Sequence, residues 1–249
     1  MNRMHFRAHR GHGACPENTM PAFRLAFEDG FECIETDPQL TKDGVIVLMH
    51  DDTINRTCRN RDGSVITREV PVAGSTYEEL LAFDAGIAFG EKFRGTPIPR
   101  LEDLLKLLDG SDVVLDLDKK IPTDNLDPLL ELVSRYNVRV EFSCGDAARI
   151  RKILSWRPDA LINYDGHTTD AILSGLCALV PHGQLTVWMY YDNPHFAWLT
   201  DRYKASPENC ARVKKYARLG IANIRNTYEM RDAIRWGADE IEPFDLPQT

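Results

Sequence analysis

Residues 4–30 read MHFRAHRGHGACPENTMPAFRLAFEDG, and their order sets the first unit of the fold. MHFRA (4–8) reads as a short strand. His9, Arg10, Gly11, His12 and Gly13 then crowd a polar loop directly behind it. In PENT, Asn18 or Thr19 can cap a helix that has Pro21 in its first turn, apolar Phe23, Leu25, Ala26 and Phe27, and Gly30 as its stop. Strand, polar loop and helix in that order make one βα unit, and polar residues gathered at the end of a strand point to a site.

Working outward, the same pattern recurs along the chain. Further strands are predicted at 31–36, 45–50, 113–118, 138–142, 160–164, 185–190, 220–224 and 239–242, from short β-branched and aromatic runs. Amphipathic helices are predicted at 101–109, 125–136, 146–156, 168–179, 207–218 and 227–236. About eight β-then-α units predict an α/β fold, a (β/α)8 TIM barrel, in preference to a doubly wound open sheet. Turn formers and charges interrupt the rhythm at 51–100, with DDTINRTCRNRDGSVITREVPVAG and then FGEKFRGTPIPRLED. This stretch reads as a small insertion after the strand ending at His50, inside a single barrel domain over 1–249.

Composition narrows the function. The 249 residues are 43% apolar and 27% charged, an ordinary globular balance. A net charge of −8 disfavours a nucleic-acid surface, which needs a basic patch. A small anionic substrate stays compatible if local cations overcome the global sign. No signal-like N-terminus and no run of about 18 apolar residues occur, so a soluble, cytoplasmic protein without stable membrane insertion is expected. The cysteines at 15, 33, 58, 144, 177 and 210 form no C-x-x-C pair and suggest reduced thiols, neither a zinc site nor a disulfide framework. The oligomeric state is left open.

Barrel enzymes carry their chemistry at the carboxyl ends of the strands. Here those ends hold His9-Arg10, Glu35-x-Asp37, His50-Asp51 and Asp116-x-Asp118-x-Lys120. Alternation places Glu35 and Asp37 on one face of an extended segment, and their mutual repulsion asks for a cation. With Asp118, three carboxylates and no cysteine suit one hard divalent ion, Mg²⁺ or Ca²⁺. Solvated surface acids are the bland alternative, but the IET and LDLD neighbours are strand-like and apolar. Imidazole titrates near working pH, so His9 and His50 form an acid/base pair able to flank one phosphorus atom. Arg10 and Lys120 supply fixed positive charge for phosphate oxygens. Gly11 and Gly13 allow a sharp turn beside the ligand.

The stretches AHRG, PENT, IETDPQLTKDGVIVLMHDDTINRT, FDAGIAFGEKFRGTPIPRLED and DLDKK resemble the glycerophosphodiester phosphodiesterase family in order and spacing over residues 8–120, and the likeness weakens beyond them. The resemblance implies a TIM barrel with a small insertion, one divalent metal, and hydrolysis of small glycerophosphodiesters to glycerol 3-phosphate and an alcohol. It implies His9 and His50 as general acid/base, Glu35 and Asp37 as metal ligands, and Arg10 as a phosphate contact, and it places Glu17 and Asn18 close to the site. Three departures stand out. Asp118 and Lys120 occupy an E-x-K position, one methylene shorter at the acid. His12 follows HRG where a small residue is usual, as a substrate contact or a surface histidine. A W-T-V-N segment is represented by Asn223-Ile224-Arg225-Asn226, and T-D-x-P by Phe244-Asp245-Leu246-Pro247, so the alcohol or glycerol subsite is expected to be non-standard.

Weaker signals surround these. Trp188 and Tyr190, at the end of the 185–190 strand, can stack on a choline or sugar group, with core packing the competing reading for Trp188. Ser143 ends a strand and can bond substrate. His5, His167, His182 and His195 read as surface or core residues. Phe89, Phe93, Phe196 and Trp198 can form an apolar rim, the feature that lysophospholipid use would need. The expectation is thus a metal-dependent phosphodiesterase. Its rivals are a lysophospholipase D-like or sugar-phosphodiester hydrolase of the same chemistry, and a barrel that binds a phosphorylated metabolite without cleaving it.

Overall fold

The computed structural model describes residues 5–181, 183–192 and 203–243. Its strands, in chain order, are β1 (His5–Ala8), β2 (Cys33–Thr36), β3 (Pro38–Leu40), β4 (Ile46–Leu48), β5 (Arg59–Asn60), β6 (Phe83–Asp84) and β7 (Val114–Leu117). They continue with β8 (Arg139–Cys144), β9 (Leu161–Tyr164), β10 (Leu185–Tyr190), β11 (Arg218–Ile224) and β12 (Glu240–Pro243). The α-helices are α1 (Met20–Glu28), α2 (Tyr77–Leu80), α3 (Leu101–Leu108), α4 (Asp127–Val133), α5 (Ala147–Trp156), α6 (Asp170–Leu179), α7 (Pro207–Val213) and α8 (Thr227–Arg235).

Eight strands close a barrel in the order β1-β12-β11-β10-β9-β8-β7-β2, with parallel neighbours such as Cys33↔Val114 through Thr36↔Leu117 and Thr186↔Arg218 through Tyr190↔Ala222. This is the (β/α)8 TIM-barrel class that the alternation predicts. Eight of the nine expected strands fall on barrel strands. The ninth, at 45–50, does not: Ile46–Leu48 pairs antiparallel with Pro38–Leu40, in the register Pro38↔Leu48 and Leu40↔Ile46. The reversal is made at Thr41–Val45, where Thr41 N–H donates to the Val45 carbonyl at 2.9 Å and Gly44 takes a φ of 79°. His50 therefore ends a hairpin and not a barrel strand, and the excursion from the barrel begins at once after β2.

The chain packs as two compact units, residues 8–139 and residues 140–249 with 1–7. In the first, α1 buries Ala22, Phe23 and Ala26, and α3 buries Leu101, Leu104, Leu105 and Leu108, a helical i, i+3, i+4, i+7 face. The excursion has its own small core, in which Val47, Met49, Ile54, Cys58, Val70, Val72, Leu80 and Ile98 pack together. Burying each of the larger of these contributes roughly 1.5–3 kcal/mol, which lets turn-rich sequence hold a fixed shape.

The second unit places a charged cluster among its strands. Arg7 donates to Glu141 at 3.0 Å and to Glu240 at 2.8 Å, and Asn163 donates to Glu141 at 2.9 Å. The Arg7 guanidinium also lies 4.3 Å from the centroid of the Trp188 ring. Trp188 fits because position 220 is glycine: a Cβ there would sit 2.5 Å from Trp188 Cδ2. The helices start on Asp146, Thr169, Ser206 and Asn226, whose side chains accept from backbone N–H groups of the first turn.

Candidate active site

The site is built in the first unit, from the loop after β1. Arg10 and Gly11 both take positive φ, 55° and 85°. The loop is clasped to α1 by His12 N–H donating to the Ala22 carbonyl at 3.1 Å, and closed on itself by Asn18 N–H donating to the Arg10 carbonyl at 2.9 Å. A Cβ on Gly11 would lie 2.8 Å from Ala22 Cβ, so this approach requires glycine. His12 is not a surface histidine. It is buried, its Nδ1 accepts from Ala14 N–H at 3.1 Å, and its Nε2 pairs with Asp29 at 3.1 Å, tying the loop to the end of α1.

The loop delivers Arg10 to the acids of β2. Its backbone N–H donates to Glu35 Oε2 at 2.8 Å, while its Nε lies 3.5 Å from Asp37 Oδ2. Thr19 makes no side-chain cap on α1, and Asn18 is used otherwise: its Nδ2 donates to Asp37 Oδ2 at 2.7 Å and its Oδ1 accepts from Thr36 at 2.7 Å. Lys120 Nζ stands between Asp37 at 3.7 Å and Asp118 at 3.8 Å. Glu35, Asp37 and Asp118 are not drawn to a common ligand point, since among the described residues they form no group with one atom each within 4.8 Å of the others. Their donor chemistry still fits a hard divalent ion: three carboxylates, with Lys120 at ion-pair distance and not locked in a hydrogen bond.

His9 lies 4.0 Å from Glu35 through Nε2. Burial, then the Arg10 charge, pushes its pKa down to about 4, against the pull of Asp37 and Glu17, and the His50 charge lowers it further. The two histidines thus share one electrostatic field. His50 Nδ1 lies 2.7 Å from Asp51 Oδ1. Hydrogen bonds from Arg56, above all, hold Asp51 down at about 2. An ionised carboxylate only accepts, so Nδ1 carries the proton and Nε2 is the basic nitrogen.

Asp51 as the partner of His50, Gln39 and Arg56 were missed by sequence reasoning. Gln39 Nε2 donates to the carbonyls of Met49 at 2.6 Å and Asp51 at 2.8 Å, clamping the backbone on either side of His50. Arg56 bridges Asp51 and Glu17, and Glu17 in turn accepts from Arg10 at 3.1 Å. Burial alone would raise the Glu17 pKa, but the Arg56 hydrogen bonds and the Arg10 charge overcome it and hold Glu17 low. HDDTINRT carries the one available signal, an arginine five residues behind an acid that follows a histidine.

Trp188 and Tyr190 belong to the second unit. Trp188 is buried under Arg7, as its core reading had it, while Tyr190 is half-buried at the end of β10. Ser143 is buried, and its carbonyl accepts from Arg149 at 3.0 Å. His167 is exposed, with its ring centroid 4.9 Å from that of Tyr203. Of the W-T-V-N counterpart, Asn223 is buried at a positive φ of 66° and Asn226 caps α8. His182, His195, Phe196, Trp198 and the 244–247 segment lie outside the described residues.

Comparisons with known proteins bear on this arrangement. The chain is 44% identical over 114 residues to a glycerophosphodiester phosphodiesterase of Caldanaerobacter subterraneus, a match spanning 45% of this chain and 44% of that relative. A glycerophosphodiester phosphodiesterase of Bacillus altitudinis is 45% identical over 102 residues, 41% of this chain and 38% of the relative. The matches therefore span less than half the length of these curated relatives. A crystal structure of a glycerophosphoryl diester phosphodiesterase from Parabacteroides distasonis superposes with a TM-score of 0.75 at 25% identity, covering 99% of this chain and 84% of that one. An Oleispira antarctica phosphodiesterase, solved in complex with the product sn-glycerol-3-phosphate, gives a TM-score of 0.77 at 20% identity, covering 96% and 92%. The family model described as glycerophosphoryl diester phosphodiesterase matches residues 9–218, which hold the barrel's site-bearing half and most of the rest. The chain belongs to the glycerophosphoryl diester phosphodiesterase family, a family of phosphoric diester hydrolases.

Proposed function

We propose that this chain hydrolyses glycerophosphodiesters to glycerol 3-phosphate and an alcohol, with His9 and His50 as acid and base. The observation that carries the reading is the junction of two histidines, the Arg10 and Lys120 cations and the Glu35, Asp37 and Asp118 acids within one unit, because phosphodiester cleavage needs proton transfer at both ends and compensation of phosphate charge. Arg10 and Lys120 offset the charge on the non-bridging oxygens. One imidazole takes the proton of the attacking oxygen, from water or from the substrate's own neighbouring hydroxyl. As the bond from phosphorus to the alcohol oxygen breaks, the other gives its proton to the leaving alkoxide. Glu17 and Asn18 act at one remove, by holding Arg10 and Asp37. Glu35, Asp37 and Asp118 would hold one Mg²⁺ or Ca²⁺, which supplies Lewis-acid polarisation of a phosphate oxygen when bound.

The test is release of glycerol 3-phosphate from glycerophosphocholine, -ethanolamine, -glycerol and -inositol in Mg²⁺, Ca²⁺ or EDTA. Loss of about 10²-fold or more in His9→Ala and in His50→Ala is expected, the scale of general acid–base catalysis. A cyclic phosphate seen by ³¹P NMR would identify the substrate's own hydroxyl as the nucleophile. Phe89, 52% exposed in the excursion and packed edge-on against Phe93, favours testing lysophospholipids in the same assay. Binding of substrate with no turnover under any metal would leave only the phosphometabolite-binding barrel. No helix among the described residues is long and apolar enough to cross a membrane. Six cysteines outside any disulfide support a reducing, cytoplasmic setting, which cell fractionation can check.

A further inference from the structure

One side chain joins the two catalytic loops. Arg56 donates from Nη1 and Nη2 to both oxygens of Glu17, at 2.8 and 2.7 Å, and from Nε and Nη2 to both oxygens of Asp51, at 2.6 and 3.1 Å. Each carboxylate has a second partner in the machinery: Asp51 Oδ1 meets His50 Nδ1 at 2.7 Å, and Glu17 Oε1 accepts from Arg10 Nη1 at 3.1 Å. The guanidinium is the middle of a chain, His50–Asp51–Arg56–Glu17–Arg10, whose Arg56–Glu17 link crosses 39 residues of sequence. Although the Arg56 side chain is about half exposed, its backbone is anchored. Ile54 and Cys58, on either side, are fully buried in the excursion's core, and Cys58 N–H donates to the Ile54 carbonyl at 2.9 Å. An isolated surface pair needs neither two bidentate forks nor an anchored turn.

We propose that Arg56 is a positioning residue that sets the His50 imidazole through Asp51 and the Arg10 guanidinium through Glu17. It touches no reacting atom. Fixing both carboxylates from one rigid planar fork holds the histidine's Nδ1–H tautomer and the phosphate-facing arginine in a common register, which two separate ion pairs would not do. Lysine, a point donor on a flexible stem, cannot reproduce both forks. The inference rests on the phosphodiesterase reading for its kinetic consequence and on geometry alone for its structural one.

Two measurements on the full chain separate these. In the first, long-range ¹H–¹⁵N spectra report the His50 tautomer in wild type, Arg56→Gln and Arg56→Lys without any substrate. A single Nδ1–H form in wild type that becomes a tautomer mixture in both variants is expected, because Asp51 without the Arg56 fork is no longer held against the imidazole. Retention of the single form overturns the proposal. In the second, kcat and KM for glycerophosphocholine are measured for Arg56→Gln, Asp51→Asn and the double variant. Arg56→Gln is expected to lower kcat at least 10-fold, and the double variant to lose clearly less than the product of the two single losses, since both changes break the Asp51 link and only Arg56→Gln breaks the Glu17 one. Independent, multiplicative losses overturn it. If wild type turns over no glycerophosphodiester, the functional reading fails and the tautomer alone decides the positioning role. Arg56→Lys is read in the same way should Arg56→Gln not fold.

Discussion

At Asp51 the chemistry of a single oxygen connects stability with function. Oδ1 receives His50 Nδ1 at 2.7 Å and Arg56 at 3.1 Å. Asp51→Asn keeps the shape but puts an amide where only an acceptor serves. Its NH₂ can face Nδ1 and favour the opposite tautomer, so kcat is expected to fall by roughly 10²-fold with the fold intact by circular dichroism, and an unchanged kcat would remove Asp51 from the site. The same group titrates. Hydrogen bonds from Arg56 hold it at about 2, below its ordinary value of 3.8. Its contribution is therefore complete above the unfolded value and is lost as pH falls from 3.8 towards 2. With both partners partly exposed, solvent screening leaves about 1 kcal/mol, and urea unfolding at pH 5 and pH 3 should show a smaller acid loss in Asp51→Asn than in wild type. That His9, Glu35, Asp37 and Asp118 stand at the ends of barrel strands was legible in the alternation, whereas His50 follows a hairpin strand that the alternation did not separate from the barrel. The roles of Asp51 and Arg56 were not legible, because HDD offers two adjacent acids with no indication of which faces the imidazole, and Glu17 is remote from Arg56 in sequence.

Elements position these residues, and two of them show where local signals succeed or mislead. The PENT segment correctly announces α1, yet Asn18 does not cap it. Its φ of 53° turns the side chain to Thr36 and Asp37, and the site draws on a residue that propensity assigns to the helix. VIVLM before His50 is apolar throughout and reads as one more barrel strand. The preceding TKDG is the contrary signal, a turn with glycine at positive φ that folds β4 back on β3. Both β3 and β4 are nearly buried, so no polar alternation betrays the hairpin. At the β1–α1 junction, Gly11→Ala is expected to cost about 1–3 kcal/mol from positive φ and the 2.8 Å contact with Ala22. It should also lower activity, since Arg10 moves with the loop. Gly13→Ala is the control: it has open space and no positive φ, and should stay near wild type in denaturant midpoint. Equal midpoints for the two variants would refute the close-approach argument.

For the molecule as a whole, closing eight parallel strands leaves an interior that side chains must fill, and here charges fill part of it. Alternation along each strand is visible in sequence. The meeting of Arg7 with Glu141 and Glu240, 134 and 233 residues away, is not. Such a cluster is a poor source of net stability but a strong constraint, because removing one partner strands the others. Burial first, and then the charge of Glu240, raises the Glu141 pKa above its ordinary 4.5, and Arg7 opposes both. An acid with a raised folded-state pKa contributes fully below the unfolded value, and that contribution is lost as pH climbs through the folded one. Arg7→Met removes the opposing cation while keeping an apolar stem under Trp188. It is expected to lose about 3–5 kcal/mol near pH 8, the scale for breaking a buried pair, and less at pH 5, towards which protonation of Glu141 is favoured. Urea unfolding at the two values gives the comparison. A larger stability gap between pH 5 and pH 8 in Arg7→Met than in wild type supports Arg7 as the cation that opposes the rise in the Glu141 pKa. An equal loss at both pH values would mean that Arg7 matters for its packing alone.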